Sequence, residues 1–182
     1  VELNMPKDGP SQAAQTEQSP MGKWMLILAW AAGLGLLTLL FHKQLAQQLN
    51  PNTMPQSQTR GERIEVQLQQ NRYGHYVTSG LINAQPVVFM LDTGATNVSI
   101  PSALGPSLGL MPGRQAWVQT ANGRLRVSQT SIDELQIGGI VLRNVTAHLN
   151  PGMMGNEILL GMSALKQVEF AQRGDQLILR SD

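Results

Sequence analysis

An uncharged run at residues 24–41, WMLILAWAAGLGLLTLLF, constrains this chain more than any other feature. At 1.5 Å per residue a helix over it is about 27 Å long, enough to cross a hydrocarbon core. Lys23 bounds it on one side, His42 and Lys43 on the other, and Trp24 stands where an aromatic ring anchors a span at the lipid interface. A helix apolar on every side needs a large protein or lipid to hide it, so residues 24–43 read as a single transmembrane helix. A cleaved signal segment is the rival reading. Against it, the preceding polar stretch is long and carries Glu2, Asp8 and Glu17, the run exceeds an ordinary signal core, and no small-x-small site follows. An uncleaved anchor is expected. Its orientation is not set by charge, because Lys7 and Lys23 lie on one side and Lys43 on the other.

The run also fixes where a globular fold can lie. Residues 1–23 are polar, rich in Gln, Ser and Pro, and lack apolar periodicity, the composition of a disordered tail. Residues 44–61 form a polar linker with Pro51 and Pro55; residues 44–49 extend the helix by a turn before Pro51 stops it. Residues 62–182, roughly 120 in number, make an ordinary domain. Only 14% of residues are charged, and 18 Gly with 10 Pro supply turns, which suits an all-β domain better than a helical bundle. The net charge of +1 points to no nucleic-acid partner. With no cysteine there is no disulfide, thiolate nucleophile or cysteine zinc site. His42, His75 and His148 lack ligand spacing, so no metal or other cofactor is expected.

Within this domain Ile64, Val66 and Leu68 alternate with polar residues, as in a half-buried strand. Residues 75–83 and 85–91 form a hairpin turning at Asn83 and Ala84, and residues 115–120 and 124–130 another, turning at Ala121, Asn122 and Gly123. Residues 134–137 and 141–149 pair across Gly138-Gly139, and residues 168–171 and 176–179 across Arg173-Gly174-Asp175. Short helices are expected at 102–108 and 162–166.

The apolar stretch 87–91 ends in Asp92, followed by Thr93, Gly94, Ala95 and Thr96, before Val98 and Ile100 resume the strand pattern. One carboxylate is thereby delivered to the end of a buried strand. Gly94 permits a tight turn, and the Thr93 hydroxyl can lock it. Asp before Thr-Gly is by itself often only a turn residue. Here the run resembles the active-site signature of aspartic proteases. Two further features resemble the smaller, retropepsin-like members, including bacterial membrane-anchored ones: residues 157–165, EILLGMSAL, and the Asn122-Gly123 turn between the two motifs. The resemblance implies a retropepsin-like closed β-barrel with one or two short helices, preceded by the transmembrane helix. It implies Asp92 as the catalytic carboxylate, with Thr93, Gly94, Ala95 and Thr96 as its loop. Leu160 and Gly161 would support that loop, and Ala121, Asn122 and Gly123 would form a mobile flap over the substrate.

That chemistry needs two carboxylates sharing one proton. Asp8, Asp133, Asp175 and Asp182 do not follow an apolar strand with Thr/Ser-Gly after them. The second carboxylate is therefore expected from Asp92 of another copy, in a two-fold homodimer whose substrate is an extended peptide or protein segment. The final strand, residues 176–180, either knits such a dimer or completes the chain's own sheet. The resemblance places the domain in the periplasm, tethered to a bacterial inner membrane. A non-catalytic anchored β-domain that binds a peptide or envelope protein is the alternative.

Overall fold

Residues 20–120 and 123–181 are described by a computed structural model. Of the disordered tail expected over residues 1–23, residues 1–19 lie outside the described residues, as do Ala121, Asn122 and the terminal Asp182, whereas residues 20–23 are helical. The chain divides into two units after His42. Helix α1 spans Pro20–Leu49. Its Gly22–Leu49 portion is the one helix among the described residues that is long and apolar enough to cross a membrane, and none of its most apolar window is buried. It stops at Leu49 because Pro51 disfavours helical backbone at Asn50.

The second unit is built from strands. A four-stranded antiparallel sheet runs in the order β1 (Gln56–Arg60), β2 (Arg63–Gln69), β11 (Gln176–Arg180), β10 (Glu169–Arg173). Strand β1 lies inside the span expected to be a polar linker. All five of its residues are exposed, so it has no apolar alternation to betray it and is held by backbone pairing to β2. Ahead of it, buried Asn52 donates to Gln69 O (2.9 Å) and Val77 O (2.7 Å) and accepts from Gln69 N (2.8 Å), stapling β2 to the next strand. Strand β11 sits between β2 and β10 with Leu177, Ile178 and Leu179 buried. It completes the chain's own sheet and offers no free edge to a second copy.

The seven-stranded sheet runs β3 (Val77–Ile82), β4 (Gln85–Leu91), β9 (Glu157–Leu160), β5 (Val98–Pro101), β8 (Ile140–Asn150), β7 (Gly123–Ile137), β6 (Gln115–Thr120). Strand β3 also pairs with β7, so the circuit returns on itself. The closing seam is only two residue pairs long, Leu81 with Gln136 and Ile82 with Leu135, and β6 stays outside it. The fold is thus a β-barrel without strict closure. Gly80 makes the seam possible: a Cβ there would overlap Gln136 O and approach Phe89 Cε2 to 2.7 Å.

Two expected strands, 124–130 and 134–137, are one strand, β7, because residues 131–133 continue its alternation without a turn. The expected helix at 102–108 is instead two 3-10 turns, Ser102–Leu104 and Pro106–Leu108, broken where Pro106 lacks the N–H a helix needs. The other short helix is α2, Met162–Leu165. The β3–β4 turn holds Asn83 and Ala84 at φ 48° and 64°, matching the twist of a tight hairpin. The core gathers Phe89, Ile82, Ile100, Ile132, Ile158 and Leu160, all essentially inaccessible.

Candidate active site

Asp92 directly follows β4, and its position is set by two parallel pairings that no local pattern reveals. Strand β4 runs parallel to β9, with Leu91 opposite Leu160, and β5 runs parallel to β8. The Asp92 N–H donates to Leu160 O at 3.1 Å. The turn then closes on the carboxylate: Gly94 N donates to Asp92 Oδ1 at 2.8 Å, and Ala95 N to Asp92 O at 3.2 Å.

Behind this turn the start of α2 acts as a clamp. Met162 N donates to Ala95 O (2.8 Å) and Ser163 N to Thr96 O (3.0 Å). Ser163 Oγ accepts from Val98 N (3.0 Å) and donates to Thr146 O (2.7 Å). So close an approach leaves no room for a side chain at residue 161. A Cβ on Gly161 would overlap Asn97 O and lie 2.7 Å from Ala95 O. Thr93, Gly94 and Thr96 are exposed, Asp92 and Ala95 partly so. Among the described residues the Thr93 hydroxyl has no hydrogen-bond partner within the chain, so it does not lock its own turn.

Asp92 borders two grooves. One, of about 490 Å³, is largely apolar, lined by Tyr76, Leu91, Leu165, Phe170 and Leu177 with Thr93 at its edge. The other, of about 960 Å³, separates the Asp92 loop from the β6–β7 hairpin. Asn97, Ser99, His148 and Asn150 make one wall; Val118, Thr120 and Leu125 belong to the other. Among the described residues neither groove contains a second carboxylate. Asp133 and Asp175 are exposed and line neither groove. Gly123 lines the larger groove at the hairpin tip with φ 107°.

Comparison with known proteins finds likenesses that take in these features. The family described as "gag-polyprotein putative aspartyl protease" matches residues 78–167, from β3 past the α2 clamp. A crystal structure of a retropepsin-like aspartic protease from Rickettsia conorii is similar at 29% identity with a TM-score of 0.56. The likeness covers 70% of this chain and 97% of that one. The chain has the retropepsin-like fold. An uncharacterized protein from a cobV 5′ region of Sinorhizobium sp is 34% identical over 120 residues, covering 64% of this chain and 52% of that protein. An uncharacterized protein of Rickettsia prowazekii (strain Madrid E) is 27% identical over 119 residues, covering 63% and 51% respectively. The chain therefore spans about half the length of the curated relatives it matches.

In this retropepsin-like domain the Asp92 loop, Leu160 and Gly161 come together, while Thr120 and Gly123 stand across the larger groove from them. Several groove residues escape sequence reasoning. His148 reads as an ordinary strand residue, yet the β5–β8 register sets it opposite Ser99, and its Nε2 lies 3.5 Å from Asn97 Nδ2. Burial holds its pKa below the ordinary value of 6.5. Tyr76 lines the smaller groove, and Trp117 the larger one from the β6–β7 hairpin. No spacing signal in the sequence links any of the three to Asp92.

Proposed function

We propose that the chain is a membrane-anchored aspartic endopeptidase whose active site forms when two copies bring their Asp92 carboxylates together. The observation that carries this reading is the lone carboxylate on a clamped loop, bordered by two grooves that supply no second acid among the described residues. Two like charges at close range cannot both ionise cheaply, so the pair would share one proton. The ionised member takes a proton from water while the protonated member hydrogen-bonds to the scissile carbonyl. Water oxygen then attacks the carbonyl carbon, and the amide nitrogen leaves after accepting a proton. The exposed Thr93 hydroxyl is free to bond across the two-fold axis. The larger groove fits an extended peptide, with the β6–β7 hairpin as its cover and strand-like backbone bonding to hold it. Helix α1 would keep copies in one bilayer and raise their effective concentration. A bacterial inner membrane with the domain in the periplasm is the setting we assign, in keeping with bacterial relatives.

The test compares wild type with Asp92→Asn on a peptide library at acidic and neutral pH, with dimers verified by crosslinking. Loss of at least ~10³-fold in turnover is expected, as when a reacting acid–base group is removed. Equal product from both proteins would remove the protease reading. Binding without cleavage by either would favour the non-catalytic module.

A further inference from the structure

The segment that carries the β6–β7 hairpin is basic, and one of its arginines, Arg124, lines the larger groove. From Arg114 to Ile132 the sequence holds Arg114, Arg124 and Arg126 and no Asp or Glu. Among the described residues none of these three arginines has an ion pair. Arg124 and Trp117 both line the groove that contains Asp92. The Arg124 guanidinium carbon lies 5.4 Å from the centroid of the Trp117 ring, a cation–π distance, and Trp117 is 61% exposed.

Stacking occupies the flat face of a guanidinium and leaves its edge N–H groups free, the arrangement that recognises a carboxylate by two parallel bonds. Apart from Arg124, the titratable groups lining this groove are Asp92 and His148, and burial favours the neutral imidazole. Arg124 is thus the groove's standing positive charge. A ligand over Asp92 lies in the same groove as this cation.

We propose that Arg124, held by Trp117, reads an acidic side chain of the bound peptide, so that the preferred substrates carry Asp or Glu near the scissile bond. This inference rests on the protease reading above. It assigns specificity to Arg124 and a positioning role to Trp117. A flat anionic bilayer is the competing partner for a basic hairpin. The peptide is favoured because Arg124 is among the residues lining a concave groove shared with Asp92.

The test uses the full chain in neutral detergent and synthetic peptides in which Glu, Gln or Lys occupies each position in turn, with products identified by mass spectrometry. Wild type is expected to cleave Glu peptides about threefold to fivefold faster than Gln peptides at one position, as suits a partly exposed ion pair. Arg124→Gln should bring that ratio to about one, and Arg124→Glu should reverse it toward Lys. Trp117→Ala should lower the ratio and Trp117→Phe restore it. A ratio between peptides is not moved by a general loss of folded protein. Cleavage with the same Glu preference in wild type and Arg124→Gln, or with no preference in wild type, overturns this inference and leaves the protease reading standing. Absence of cleavage by verified wild-type dimers removes both. Arg124-dependent binding to phosphatidylglycerol vesicles with no Glu preference in cleavage replaces the peptide with a lipid surface.

Discussion

Behind Asp92 the loop of residues 92–98 is held by backbone bonds to Leu160, Met162 and Ser163, with Gly161 pressed against it. Across the groove, residues 116–120 and 123–127 of the β6–β7 hairpin pair only with each other; β7 reaches β8 from Ser128 onward. The first wall is fixed from several elements of distant sequence. The second is a two-stranded arm with alternating half-buried and exposed residues, of a kind only marginally stable alone. The difference is mechanical. A reacting carboxylate must be held within a fraction of an ångström, whereas a cover must yield so that an extended chain can enter.

The sharpest way to break this comparison is Gly161→Ala. Its methyl group meets backbone carbonyls rather than a flexible side chain, so the clamp must separate. A loss of about 3 kcal/mol in unfolding free energy is expected, together with loss of peptide cleavage, read by chemical denaturation in micelles and by product formation. Unchanged stability would mean the loop is not rigid. Ser163→Ala is the next step down. It strands the Val98 N–H and frees Thr146 O, with an expected cost of about 1–2 kcal/mol in the same assay.

On the same wall, His148 gives a pH signature. Above pH 6.5 the imidazole is mainly neutral in both folded and unfolded chains and contributes no pH dependence. As pH falls below that, the unfolded chain takes up the proton first, so stability declines until the folded pKa is passed. His148→Gln should flatten this acid limb, measured as melting temperature against pH, while changing little above pH 7. The hairpin should show the smallest effect. Trp117→Ala removes an exposed ring, and stability is expected to stay within about 0.5 kcal/mol of wild type. A larger drop would show that the arm is braced by Trp117.

Much of this architecture is written locally. The α1 run, the strand ending in Asp92, the Asn83-Ala84 turn and the Gly before α2 each declare themselves within a few residues, because period, turn chemistry and the absence of charge are short-range properties. Strand β1 stays hidden because its pairing is carried by backbone alone. The continuity of β7 is obscured by the polar residues on its exposed face.

The sequence by itself determined that there is one Asp-Thr-Gly carboxylate, one helix-forming run fit for a bilayer, and one β-rich domain. Only the tertiary structure decided what surrounds that carboxylate. The parallel neighbours of β4 and β5, the place of β11 inside its own sheet, and the placement of His148 on the Asp92 groove come from pairing between strands far apart in the chain. Backbone hydrogen bonds between remote strands carry no residue code, so register is chosen by the collective burial of both faces and not by any local motif.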